Sequence, residues 1–505
     1  MHYTNPVISG FHPDPSICRV GEDYYLVTSS FEYYPGVPLF HSKDLVNWEQ
    51  LGHVLTRTEQ LDLRNARSSG GIYAPTIRYY DGLYYMTTTN VSGGGNFYVY
   101  TDDPRGEWSD PIYVDQHGID PDLFFDEDGS VYYTTSNDAF GQGAYQSRID
   151  LKTGKRLSDV TLIWRGTGGQ YPEAPHLYRI GEWYYLMMAE GGTEYGHMVT
   201  MARSKRPDGP FESCPHNPIL THRSLLKSIH ATGHADLVEA ADGSWWAVFL
   251  GIRPAGYPNY HHLGRETFLA PVTWTEDGWP IIGNNGTVDE QMEVDNLCAQ
   301  QVKVGSVRDD FDATYLASYW SFLRGNDQAN RSLTEKSGCL TLFGSASTLN
   351  ELGVPAFVGR RQQHFECRAR VHLTFVPERT GDEAGITAYM NEQFHYEIAI
   401  MQTQSGRKLI FRRRIGSMWK VENEMPWSDD SVILTVQAHK THYEFGFASR
   451  EEESEVPFGR GETRFLSTEA AGGFTGVFIA MYATGNGTRS ETPAHFDWFD
   501  YEVTE

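Results

Sequence analysis

GEDYYLVTS (21–29), DGLYYMTTT (81–89), DGSVYYTTS (128–136), GEWYYLMMA (181–189) and DGSWWAVFL (242–250) are five versions of one unit. Each opens on a tight-turn pair and runs into an aromatic-rich strand, and each is preceded by a short apolar run. A turn pair between two β-prone runs is a hairpin signal. Self-similar β-units recurring every 47 to 61 residues predict blades around an axis, hence a five-bladed β-propeller. The innermost strand of a blade comes first, so its start lies at one mouth of the channel. Eight residues before the turn stand Tyr73, Asp120, Glu173 and His234; in the first unit Asp14 stands seven before it. Three carboxylates, an aromatic and a histidine thus converge from five blades.

Outward from these units, FLAPVTWTEDGWPII (268–282) supplies two more strands for the last blade, and Ser224–His230 reads as one helical turn. A polar stretch without a period follows. From Arg308 onward the chain reads as longer alternating strands, such as FECRARVHLTF and AGITAYMNEQFHYEIAIM, the pattern of an antiparallel sandwich. The expected organisation is all-β: a propeller over 1–295, a linker over 296–307 and a β-sandwich accessory domain over 308–505.

The 505 residues carry a formal net charge of −25, spread along the chain, with 13% aromatic residues. Nucleic acid or an anionic membrane needs clustered cations, so neither is an expected partner. A small neutral oligosaccharide fits the aromatics better. No apolar run approaches a membrane span, and Met1 leads into no basic or apolar leader, so the expected location is cytoplasmic. Five scattered cysteines, Cys18, Cys214, Cys298, Cys339 and Cys367, read as free thiols of a reducing compartment.

Asp14 lies between prolines in FHPDPSI, which fixes the backbone that aims it. Asp120 and Asp122 share HGIDPDLFF, and the register favours Asp120. Glu173, in QYPEAPHLY, is unusual for a strand start among prolines. Each aspartate alone reads as a turn former. Together the three match glycoside hydrolysis, which needs a carboxylic acid for the leaving oxygen and a carboxylate to activate water or attack carbon. His234 is open between a hydrogen-bonded core residue, a sugar contact and a ligand to water around Ca²⁺. Arg265, in HHLGRETFL, clamps sugar hydroxyls or pairs with a carboxylate. Phe31 and Tyr73 are candidate aromatic walls.

NPVISGFHPDPSICRVGEDYYLVTSSFEYYPG, GGIYAPTIRYYDGLYY, GIDPDLFFDEDG, YPEAPHLYRIGEWYYLMMAEGG, TGHADLV and LGRET together resemble glycoside hydrolase family 43. DDFD…YWSFLR, from 309, resembles the β-sandwich appended to many of its members. The resemblance implies an inverting five-bladed enzyme, with Asp14 as general base, Glu173 as general acid and Asp120 as modulator of the acid's pKa. It further implies that Arg265 and the aromatic walls Phe31 and Tyr73 bind the sugar, and that His234 lines a channel where Ca²⁺ is common. A loop of the sandwich often narrows the pocket in such proteins. Tyr73 departs from the tryptophan of the family's β-xylosidases, which touches the balance between xylose and arabinose. The expected function is therefore an exo-acting glycosidase releasing terminal β-D-xylose, α-L-arabinofuranose or both, possible as a homo-oligomer. The alternatives are a strict α-L-arabinofuranosidase and, from another class, a propeller lectin. A lectin would repeat its binding residue in every blade, which these carboxylates do not.

Overall fold

The computed structural model describes residues 2–137, 141–294, 302 and 306–504. Most of the expected linker over 296–307, and Cys298 with it, lie outside the described residues. Five antiparallel sheets follow one another along the first part of the chain, each with its strands in sequence order. Their first strands are Ser16–Val20, Thr76–Tyr80, Ile119–Phe125, Glu173–Ile180 and His230–Glu239. Each quoted turn joins the first strand of its blade to the second; Asp23, for example, pairs with Val20 and Leu83 with Tyr80. Adjacent pairs of tyrosine or tryptophan followed by apolar or β-branched residues suit strands buried between blades. The strands Glu266–Trp274 and Pro280–Ile282 complete the fifth blade.

The ring is tied shut by the chain ends of this part. His2–Thr4 pairs with Gln291–Glu293, and the Asn5 side chain both donates to the Leu269 carbonyl (3.0 Å) and accepts from its N–H (2.9 Å). Ser224–His230 is not helical: it is a turn at Ser224 followed by irregular chain that leads into the fifth blade at His230. Asp126–Gly129 is a hairpin turn closed by the Gly129 N–H on the Asp126 carbonyl, with Asp126 taken up by Tyr184 and Arg179. Cys18, Cys214, Cys339 and Cys367 are buried, and none of the four is in a disulfide. None of the described helices is long and apolar enough to cross a membrane.

Residues 307–503 build two facing sheets. One orders Arg331–Ser332, Leu340–Phe343, Pro493–Val503, Cys367–Thr374, Ser431–Ala438, His442–Ala448 and Val456–Glu462, with Val307–Asp309 also on Pro493–Val503. The other orders Ala356–Arg361, Phe478–Thr484, Glu383–Asn391, Phe394–Thr403, Gly406–Ile415 and Met418–Pro426. In Cys367–Thr374 every second residue is buried, as expected of a sheet with one face on the core.

The two parts are fused by backbone as well as by side chains. Phe322–Leu323 pairs with Tyr33–Tyr34 of the propeller. Tyr33 stacks on Phe478 with centroids 3.9 Å apart. Arg324 is fully buried and donates to the Ala66 carbonyl (2.7 Å) and the Ser68 hydroxyl (2.9 Å). Arg361 donates to the Phe11 carbonyl (2.7 Å).

Candidate active site

The inner strands begin in unusual backbone. Asp14 (φ 56°), Asp120 (52°), Ala174 (52°) and His234 (49°) all occupy the left-handed region. Non-glycine residues rarely do so, and Asp is among the least penalised. Pairing slips between Ile119 and Asp122, between Glu173 and His176, and twice between His230 and Asp236. Such bulges re-aim side chains, and here they turn the strand starts toward the channel mouth.

Asp14 is held as a carboxylate. It is buried, yet Arg265 Nη1 donates to its Oδ1 at 2.7 Å, Ser29 donates to its Oδ2, and the His234 ring lies 3.7 Å away. Burial alone would push this carboxyl up. The guanidinium, the imidazole and the hydroxyl outweigh burial and hold it below its ordinary value. Arg265 Nη1 also donates to the Thr193 hydroxyl at 3.0 Å, which fixes the fork from the fourth blade.

Asp120 goes the other way. Burial, then the charges of Glu173 and Asp14, push its carboxyl well above the usual range, against one hydrogen bond from the Ala174 N–H at 3.1 Å. Of the two neighbouring carboxylates, Glu173 acts on Asp120 more strongly than Asp14 does. Glu173 is the most open of the three, its side chain 20% exposed against 5% for Asp14. His197 Nε2 lies 3.6 Å from Glu173 Oε1. His197 Nδ1 faces the Ala231 carbonyl at 3.1 Å, so it carries the ring proton and Nε2 presents a lone pair. Residue 233 must be glycine for this ring to fit, because a Cβ there would stand 2.3 Å from His197 Cε1.

Two to five residues further along each strand, a second layer plugs the channel. Arg78 pairs with Asp122 and Asp236, both at 2.8 Å, and meets His176 Nδ1 at 3.0 Å. Asp236 also accepts from Ser16 (2.6 Å) and Tyr178 (2.6 Å). Each of the five blades thus contributes to one buried cluster. Asp122 is fully buried and spent on Arg78 and the Leu177 N–H, which separates it from its neighbour Asp120 and leaves the latter facing the mouth.

The aromatic wall has three members, and one comes from the sandwich. Phe31 lies 5.3 Å from Tyr73 and 5.9 Å from Phe474, and Tyr73 lies 6.2 Å from Phe474 (ring centroids). Phe31 is 2% exposed and backs the Arg265 guanidinium at 5.7 Å. Tyr73 and Phe474 keep more open surface. Phe474 also lies 5.7 Å from Arg265, and its N–H donates to Ser69 Oγ at 2.8 Å. Glu469, earlier in the same loop, accepts from the His261 N–H at 2.9 Å and from Tyr195 at 3.2 Å. Sequence reasoning singled out neither Phe474 nor Thr193, Ser29 and His197. Ser29 is the last residue of the first quoted unit and Thr193 directly follows a quoted motif, whereas nothing near Phe474 marks it.

His234 is buried, and burial lowers its pKa to about 4 despite Asp14 and Glu173; it is neutral at physiological pH. His176 Nε2 and His197 Nε2 are buried without a hydrogen-bond partner. Asp14, Asp122 and Asp236 are already paired with arginines. Among the described residues no three ligand-type groups converge at His234. These donors fit a cation that keeps most of its water, with one imidazole as direct ligand.

Residues 3–280 match the family model for glycosyl hydrolases family 43, and residues 308–502 match that for the beta xylosidase C-terminal Concanavalin A-like domain. A non-reducing end α-L-arabinofuranosidase of Bacteroides ovatus is 44% identical across 100% of this chain and 95% of its own. A xylosidase/arabinosidase of Butyrivibrio fibrisolvens is 37% identical over 99% of both. Among solved structures, Bacteroides ovatus xyloglucan PUL GH43B superimposes with a TM-score of 0.95 at 42% identity, covering 100% of both chains. Xylan β-1,4-xylosidase of Bacillus halodurans superimposes with 0.94 at 35%, covering 99% of this chain and 100% of its own. With its propeller and its sandwich both matched, the chain belongs to glycosyl hydrolase family 43.

Proposed function

We propose that this protein is an exo-acting, inverting glycosidase that releases terminal β-D-xylose and α-L-arabinofuranose from xylo- or arabinoxylo-oligosaccharides. The observation that carries the reading is the division of roles at one channel mouth: Asp14 is held as a carboxylate by Arg265 and Ser29, while burial beside Glu173 and Asp14 pushes the Asp120 carboxyl well above its usual range. Asp14 takes a proton from water as that water attacks the anomeric carbon. Glu173 gives its proton to the departing glycosidic oxygen, and the glycosidic bond breaks. A lectin has no need of this division. Phe474 and Tyr73 narrow the mouth, which suits chain ends over polymer interiors. Relatives named for xylose, for arabinose and for both support the dual substrate. Tyr73, together with the arabinofuranosidase that is 44% identical, favours strict arabinofuranosidase activity as the second reading.

A panel of nitrophenyl glycosides separates the two readings, and NMR of early product tests the stereochemistry. Inversion releases α-xylose first from a β-xyloside; early β-xylose would rule it out.

Asp120 is assigned to hold the proton of the acid. Asp120→Asn removes a neighbouring negative charge, so the basic limb of the kcat/KM profile is expected to move to lower pH. The acid limb, set by Asp14 below the ordinary carboxylate range, is expected to move less. A basic limb that stays in place would separate Asp120 from the acid.

Some family members bind a central Ca²⁺. We assign His234 as the imidazole ligand of such an ion here, where its charge would help keep Asp14 ionised. Exhaustive chelation is expected to lower the melting temperature, and Ca²⁺ to restore it; unchanged melting would remove the ion from this site. Location in the cytoplasm and homo-oligomerisation remain part of the proposal.

A further inference from the structure

Far from the channel, the hairpin joining Ser431–Ala438 to His442–Ala448 carries the sequence HKTHYE (439–444). His439, His442 and Glu444 each offer a ligand-type atom, and these atoms lie within 4.8 Å of one another. His442 and Glu444 stand two apart on one strand, so both point to the same face. The His442 Nε2 to Glu444 Oε1 distance is 3.3 Å. The His439 and His442 rings lie 4.5 Å apart, nearly parallel. We propose that His439, His442 and Glu444 form a site for a divalent transition metal of the Zn²⁺ type, with a water as the fourth ligand.

Three further observations support a built site. First, Glu366 sits behind His439: its Oε2 meets His439 Nδ1 at 2.8 Å, while its Oε1 accepts from the Lys440 N–H at 2.8 Å. A carboxylate on the rear nitrogen of a ligating histidine fixes its tautomer and ring orientation and leaves Nε2 free for metal. Second, the turn is held from behind. His439 N–H donates to the His442 carbonyl (2.8 Å), and Thr463 donates to the carbonyls of Thr441 (3.1 Å, from N–H) and Lys440 (3.0 Å, from its hydroxyl). Such support spares ligands the cost of ordering. Third, the nearest lysine is turned away, with Lys440 Nζ 5.0 Å over the Phe365 ring. Across the neighbouring strand, Arg460 is in register with Glu444 and Glu462 with His442.

Two imidazoles in a set of four ligands select Zn²⁺; Ca²⁺, with six to eight ligands that are mostly oxygen, tolerates a lone imidazole among waters, as at His234, but not this pair. Bonds of about 2.0–2.2 Å in a tetrahedron require donors roughly 3.4 Å apart. His442 and Glu444 already meet that, and the exposed Glu444 side chain and the His442 ring close the remainder by small rotations toward the fixed His439 ring.

The test uses the full chain without a polyhistidine tag, stripped of metal and titrated with Zn²⁺ alone by calorimetry, with retained metal counted by elemental analysis. One equivalent is expected. The double variant His439→Ala/His442→Ala is expected to lose it while keeping wild-type melting temperature and glycosidase turnover. Glu366→Gln is expected to weaken binding by about 10–100-fold. No uptake by the wild type would overturn the proposal, as would an equivalent that survives in the double variant. If the double variant misfolds, Glu444→Gln at the exposed edge serves in its place, and undiminished affinity there overturns the site equally.

Discussion

Glu173→Ala is expected to keep measurable activity on a nitrophenyl xyloside and to lose nearly all of it on xylobiose. A general acid is needed in proportion to how poorly the departing oxygen leaves as an anion. Nitrophenolate departs unprotonated, whereas a sugar alkoxide does not. Asp14→Ala, by contrast, removes activation of the attacking water, which both substrates require, so it is expected to be crippled on both. Acid–base assistance is typically worth about 10²–10⁴-fold, so steady-state rates on the two substrates resolve the pattern. Equal proportional losses in the two variants would sink the assignment of acid and base. Wild-type xylobiose turnover in either variant would remove that residue from the chemistry.

Arg265→Ala is expected to be nearly as damaging, for a reason the buried geometry supplies. The guanidinium is the main counter-charge to Asp14, at 2.7 Å. Without it, burial dominates and the carboxyl moves up. The variant should then show a large fall in kcat/KM, on the order of 10²-fold or more, with the acid limb of its pH profile shifted upward. Arg265→Lys should restore part of the charge but not the fork shared with Thr193. The fold is expected to survive, because Asp14 can take up a proton rather than remain an unpaired buried charge. An unchanged kcat/KM accompanied by a collapsed melting temperature would make Arg265 structural.

The propeller was legible because its information is local. Turn pairs and aromatic strands recur, and the register counted back from the turns led to Asp14, Asp120, Glu173 and His234. The same register chose Asp120 over Asp122, which the structure places in the plug with Arg78. Other features were out of reach. Left-handed backbone at Asp14 or Asp120 leaves no mark in composition, since aspartate serves turns and strand starts alike. The residues Ser224–His230 have the polar and leucine spacing of a helical turn, but one turn alone does not offset its nucleation cost, and they form a turn at Ser224 and irregular chain instead. Phe474 meets Phe31 across more than four hundred residues of chain, and no local pattern encodes such a contact.

Phe474, the Phe322–Leu323 pairing and the Tyr33–Phe478 stack have a bearing on gene engineering. Trimming the chain near residue 300 would look like isolating a catalytic module. It would instead strip cover from Phe11, Phe31 and Tyr33, which share one apolar cluster with Leu323, Phe357 and Phe478, and expose a greasy face prone to self-association. It would also remove one wall of the pocket. Shuffling propellers and sandwiches between relatives should therefore succeed only when the loop bearing Phe474 and the seam beneath it travel together. Natural drift faces the same constraint, so substrate preference can change through substitutions in the half of the chain that carries none of the proposed catalytic carboxylates.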